Sequence, residues 1–291
     1  MDIDTKDRYR GCLLGLAAGD AVGTTLEFKP PGSFSPIRDM VGGGPFDLAP
    51  GQWTDDTSMA LCLAESLIVT RGFNPLDQMA RYVRWYRYGH LSCTGRCFDI
   101  GNTILEALHR FEATGNPLSG LDHPFSAGNG SLMRLAPVPM VYALRPVVAI
   151  EKAALSSQTT HATRVAIDAC RYFAGVIVGA LAGIKKGELL AAGFCPAPGG
   201  WNGMPLTEQI AEISSGSFKF KQPPDISGDG YVVHTLEAAL WAFYKSDSFR
   251  QGCLMATSPP GIGQGFSQAN RSCDAAFPMR ISPPQIVPSV P

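Results

Sequence analysis

Five short stretches of this chain place oxygen-bearing or very small residues at spacings that chemistry can use. The densest is Trp53-Thr54-Asp55-Asp56-Thr57. Two adjacent carboxylates flanked by hydroxyls offer hard oxygen ligands, suited to Mg²⁺ or Mn²⁺ rather than zinc. The same residues also suit a helix N-terminus, where Asp and Thr satisfy exposed N–H groups and meet the positive end of the dipole. Taken alone, the five residues leave both readings open.

The second stretch, Gly19-Asp20-Ala21-Val22-Gly23, is followed four residues later by Glu27. It closes a small-residue helix, so Asp20 is either a working carboxylate or a solvated residue at a glycine-rich helix end. In the third, Thr94-Gly95-Arg96-Cys97-Phe98-Asp99-Ile100-Gly101-Asn102-Thr103, Asp99 is expected at a helix start, as acid–base group or cap. The fourth is Gly128-Asn129-Gly130-Ser131-Leu132-Met133-Arg134. Its glycines let backbone N–H groups approach an anion such as phosphate, unless it is an ordinary turn before Pro137. No Gly-Lys-Ser/Thr follows, so it is not a P-loop. The fifth is Thr160-His161, where the imidazole is a cap, a packed side chain or a catalyst.

Helices must position these stretches. Met59, Leu63 and Leu67 form one stripe at spacing four, predicting a helix over 58–70 that stops at Gly72. Leu76, Met79, Val83 and Tyr86 predict another over 76–88, stopping at Gly89. Ile100, Ile104, Leu108 and Phe111 predict a third over 99–114, stopping at Gly115. Further helices are expected over 7–18, 147–157, 162–184, 205–214 and 231–245. Period-two alternation is absent, so the fold class is all-α with long functional loops. The stretch 165–184 has the length of a membrane span. It contains Asp168 and Arg171, however, and its Gly175, Gly179 and Gly183 share one face, which fits a core helix closely approached by another.

Composition narrows the function classes. Hydrophobic residues make up 45% of the 291 and charged ones 17%, enough apolar material for a packed core. The net charge of −1 carries no long run of one sign, which argues against a nucleic-acid face and against a polybasic membrane anchor. The opening MDIDTKDRYR lacks a basic region followed by an apolar run. None of the eight cysteines forms a C-x-x-C pair. Reduced cysteines in a cytoplasmic protein are the expectation.

In order and spacing, the five stretches together resemble the ADP-ribosylglycohydrolase family over roughly residues 8–256. The run from Thr94 to Gly101 looks most like the dinitrogenase-reductase-activating branch, which acts on ADP-ribosyl-arginine. The resemblance implies an orthogonal multi-helix domain whose long loops form a metal-containing cleft with two Mg²⁺ or Mn²⁺ ions. It implies Thr54, Asp55 and Asp56 as metal ligands, with Glu27 beside the metals and Asp99 at the ribose. Glu27 and Asp99 then become the acid–base pair, in either order. Asp20, the loop Gly128, Asn129, Gly130 and Ser131, and His161 are implied at the substrate. The implied reaction hydrolyses the N-glycosidic bond between ADP-ribose and an arginine of a modified protein. The alternative is a catalytically inactive ADP-ribose-binding protein.

One part departs from the family pattern. The family carries a second ligand set, Gly-Asp-x-Asp-Thr, after a Trp- and Phe-bearing helix. That helix is matched by Thr235-Leu236-Glu237-Ala238-Ala239-Leu240-Trp241-Ala242-Phe243, but the acidic set does not follow. Residues 258–291 hold seven prolines and one carboxylate, Asp274. The division expected is a domain over 1–257 and an irregular Pro-rich segment over 258–291, read as a shifted frame or a divergent terminus. With three hard ligands missing, weaker metal binding and weaker activity follow.

Overall fold

A computed structural model describes residues 3–29 and 33–257. The reading of 258–291 as an irregular segment therefore lies outside the described residues. Eleven α-helices occur among those described: α1 (Ile3–Gly23), α2 (Asp55–Val69), α3 (Pro75–Tyr88), α4 (Asn102–Thr114), α5 (Pro137–Val141), α6 (Pro146–Gln158), α7 (Arg164–Leu181), α8 (Lys186–Leu189), α9 (Glu208–Ser214), α10 (Val232–Lys245) and α11 (Phe249–Thr257). The described residues form no β-strand, only the isolated bridges Gly43–Leu48, Leu121–His161 and Gly128–Tyr231.

The core is organised around α7, buried over nearly its whole length and packed against α6, α10, α5, α9 and α1. Its three charged residues form one ion-paired group: Asp168 accepts from Arg171 Nη1 and Arg164 Nε, and also from the Thr207 backbone N–H. Pairing of this kind offsets the cost of burying a carboxylate. Among the described residues, no helix is long and apolar enough to cross a membrane. The glycine stripe does receive neighbours: Gly175 and Gly179 on α7 face the 189–201 segment, and Gly183 just beyond it faces Arg8 of the long helix α1. A Cβ on Gly179 would lie 2.6 Å from Leu189 Cδ2 and from Phe194 Cζ.

Local signals set both ends of α3 and the end of α4. The Asn74 side chain accepts from Leu76 N and Asp77 N, Pro75 opens α3, and Gly89 closes it in the left-handed region. Gly115 closes α4 in the same way. On α2 the stripe Met59, Leu63 and Leu67 is buried, as the spacing predicts. On α3 the buried face is rotated from the expected one. Met79, Tyr82 and Trp85 pack inside while Leu76 is exposed, because Gln78 turns inward to bond Tyr82, Ser156 and Thr159.

Candidate functional site

The acidic stretch at 54–56 sits where α2 begins, but its own side chains do not cap the helix. Thr54 is the N-cap residue and makes no side-chain capping bond. The cap comes from Asp20, near the end of α1. Its oxygens accept from Thr54 N and Oγ1 at 2.9 Å each, from Thr57 N at 3.1 Å and from Thr57 Oγ1 at 2.7 Å. Asp20 is thus neither solvated nor turned into the cleft described below; it fixes the first turn of α2. The capping reading of Thr54, Asp55 and Asp56 gives way to this long-range cap.

Asp55 and Asp56 occupy the first two helical positions, both buried. Thr54 Oγ1 lies 2.9 Å from Asp20 Oδ1 and 3.1 Å from Asp56 Oδ2, so one hydroxyl proton serves two acidic acceptors. Asp56 Oδ1 has no hydrogen-bond partner among the described residues. Burial first, and the Asp56 charge second, push the Asp20 carboxyl up to about 7, against the bonds from Thr57 and Thr54 that lower it. Crowded buried acids with an oxygen to spare fit a hard cation in their donor chemistry. Among the described residues, though, no three His, Cys, Asp or Glu side chains are grouped to hold one ion. This end of α2 therefore offers part of a coordination shell.

A separate cleft of about 260 Å³ is lined by Glu27, Phe28, Gly101, Asn102, Thr103, Ile104, Gly128, Asn129, Gly130, His161, Asp229 and Gly230. Of the expected site residues it gathers Glu27, Gly128, Asn129, Gly130 and His161. Ser131 lies behind the wall, bonded to Ser157 Oγ at 2.8 Å, and so holds the loop rather than facing a ligand. Thr54, Asp55, Asp56 and Asp99 are not among the lining residues. Asp99 is also not a helix cap. It adopts φ 55°, in the left-handed region, two residues before Gly101, and α4 starts only at Asn102.

The sequence did not single out Asp229 and Gly230, whose signal is that of an ordinary turn before α10. They reach the cleft because Asn129 N donates to Gly230 O and Val232 N to Ala127 O, both at 3.0 Å. Asp229 also accepts from the Tyr231 backbone N–H and pairs with His234. Asn102 and Thr103 close the third stretch and Ile104 belongs to the helical stripe, but none was given a role at the site; all three line the cleft from the first turn of α4.

The glycine loop works by smallness, and the group that exploits it is the imidazole of His161. A Cβ on Gly130 would fall 2.8 Å from His161 Cε1 and 2.9 Å from Ile104 Cδ1. His161 is buried, and burial together with the Arg134 charge lowers its pKa to about 3, so it is neutral. Arg134 itself is fully buried, stacked 4.7 Å over the Tyr82 ring, and makes no ion pair among the described residues.

The sequence model of the ADP-ribosylglycohydrolase family matches residues 1–261. This chain belongs to that family. The ADP-ribosylarginine hydrolase Tri1 of Pseudomonas putida (strain GB-1) is 43% identical over 252 residues, covering 87% of this chain and 65% of its own length. Its counterpart in Serratia proteamaculans (strain 568) is 40% identical over 255 residues, covering 88% and 67%. The chain thus spans about two thirds of the length of these two relatives. The ADP-ribosyl-[dinitrogen reductase] glycohydrolase of Rhodospirillum rubrum is 28% identical over 265 residues, covering 88% of this chain and 80% of its own. A solved structure described as an ADP-ribosylglycohydrolase-related protein complex superposes with a TM-score of 0.78 at 38% identity, covering 96% of this chain and 90% of that one. The all-α fold is the family fold.

Proposed function

We propose that this chain hydrolyses the N-glycosidic bond joining ADP-ribose to an arginine side chain of a modified protein. The observation that carries the reading is the convergence of Glu27, the 128–130 loop and His161 on one cleft, within a chain about 40% identical to two named ADP-ribosylarginine hydrolases. Glycosidic cleavage needs an acid at the leaving atom and a base at the incoming water. Glu27 at the cleft and Asp99, two residues before the lining Gly101, are the carboxylates assigned to those tasks. Gly128, Asn129, Gly130 and His161 hold the ADP-ribose, Ser131 holds the loop behind them, and Asp20 holds the start of α2. Thr54, Asp55 and Asp56 would hold Mg²⁺ or Mn²⁺, which when bound orients the ribose diol and acidifies water.

The domain is assigned to 1–257. Residues 258–291 contribute one carboxylate at most, Asp274. That scarcity favours a second reading, an ADP-ribose-binding protein with little turnover. One experiment separates the two. The full chain is incubated with an ADP-ribosylated arginine peptide and Mn²⁺ or Mg²⁺, while ADP-ribose binding is measured in parallel. Release of ADP-ribose supports hydrolysis. Binding without release supports the second reading, and absence of both removes the cleft assignment.

A further inference from the structure

Arg134 is not a lining residue, yet its hydrogen bonds reach the cleft loop directly at Gly130 and His161 by way of Thr160. Nη1 donates to Gly130 O at 2.9 Å. Nη2 donates to Thr160 Oγ1 at 2.7 Å and to Thr159 Oγ1 at 3.2 Å. Thr160 Oγ1 in turn lies 2.8 Å from His161 Nδ1. A guanidinium only donates, whereas a hydroxyl has one proton to give and lone pairs to accept with. Thr160 Oγ1 therefore accepts from Arg134, and among the described residues its own proton has one acceptor in reach, the Nδ1 nitrogen of His161.

The opposite arrangement, with Nδ1–H donating to Thr160, would leave the Thr160 proton without an acceptor in a residue that is 0% exposed. A buried donor left unmade costs its desolvation with nothing in return. We propose that Arg134 is a positioning residue which, through Thr160, locks His161 into the tautomer with a bare Nδ1 and a protonated Nε2. The backbone of His161 is fixed as well, its N–H donating to Ser157 O at 2.7 Å and its carbonyl accepting from Ser157 Oγ at 2.9 Å. Nε2 has no hydrogen-bond partner among the described residues and lies on the side of Gly128 and Gly130, where His161 lines the cleft.

The consequence concerns the ligand. His161 presents one neutral N–H donor, which takes a phosphate or hydroxyl oxygen and holds it without transferring a proton. Its depressed basicity agrees with this. The identity of the accepting group rests on the proposal that the cleft takes ADP-ribose; the tautomer does not.

Nitrogen-15 correlation spectra of the labelled full chain at neutral pH read the tautomer directly, with His161→Gln assigning the signal among the five histidines. The expected pattern is a protonated Nε2 and a bare Nδ1. A protonated Nδ1, or signals averaged between tautomers, overturns the proposal. Thr160→Val should mix the tautomers and weaken ADP-ribose binding about tenfold, the worth of one hydrogen bond. Thr160→Ser should restore both, and an unchanged tautomer in Thr160→Val overturns the relay. If Thr160→Val does not fold, the parent and Thr160→Ser spectra decide. A correct tautomer in a chain that binds no ADP-ribose sinks the proposed function and leaves the relay standing.

Discussion

Asp20 Oδ2 accepts from Thr57 Oγ1 at 2.7 Å and from the Thr57 backbone N–H at 3.1 Å, so the end of α1 caps the start of α2 across 37 residues. The acidic residues of α2 are then positioned by a group outside their own stretch. Asp20→Ala should destabilise the chain by about 3 kcal/mol, combining a lost cap with buried N–H groups left unpaired. Asp20→Asn keeps an acceptor oxygen and removes the charge facing Asp56, so it should cost under about 1 kcal/mol. Urea unfolding of the two variants checks this. An Asp20→Ala protein as stable as the parent would show the cap to be idle.

This relationship also explains what was legible beforehand. The stripes of α2 and α4 and the glycine stops at Gly89 and Gly115 are local patterns, and the structure keeps them. The start of α2 at Asp55 rather than Ser58 was not legible, because the capping carboxylate arrives from 34 residues earlier. Asp99 looked like a helix start because acids favour that place. The backbone instead turns left-handed there, and the helix waits for Asn102. Gly128, Gly130 and His161 were each noticed, but that the imidazole fills the space spared by the glycine is a tertiary fact. Asp229 and Gly230 carried only a turn signal, since pairing with 127–129 is what brings them to the cleft.

A pH prediction follows from His161. In the folded chain its pKa lies near 3, well below the ordinary value of 6.5. Between those values the unfolded chain binds more protons, so stability is full above pH 6.5 and falls as pH drops toward 3, by up to about 1.4 kcal/mol per unit from this group. His161→Gln should lose less stability than the parent over pH 6.5 to 4. Paired denaturation curves with parallel pH dependence would mean that the imidazole is charged in the folded protein.

Asp99 separates chemistry from backbone strain. Asn tolerates the left-handed region as Asp does, while Ala there costs roughly 1–2 kcal/mol. Asp99→Asn should therefore keep the melting temperature and lose about 10²–10⁴-fold in the rate of ADP-ribosyl-arginine hydrolysis, the range for a positioned acid or base. ADP-ribose affinity should stay within a few-fold. Turnover equal to the parent would reduce Asp99 to a bend residue.

Asp56 tests the metal assignment without relying on turnover. Its Oδ1 has no hydrogen-bond partner among the described residues, and its Oδ2 shares the Thr54 hydroxyl with Asp20. Removing the charge eases the crowding against Asp20, so Asp56→Asn without metal should be at least as stable as the parent. With Mn²⁺ or Mg²⁺ the parent should gain stability as mass action favours the liganded fold, and Asp56→Asn should gain little. Calorimetric titration should show affinity reduced at least about tenfold, since one of two carboxylates at this helix start is gone. The parent should hold fewer than two ions, because 54–56 supply one hydroxyl and two carboxylates and 258–291 only Asp274. Grafting a Gly-Asp-x-Asp-Thr segment after Ala256 should then raise the metal count. Two ions bound by the ungrafted chain, or equal affinity in Asp56→Asn, would place the cation elsewhere and leave this helix start a purely structural acid pair.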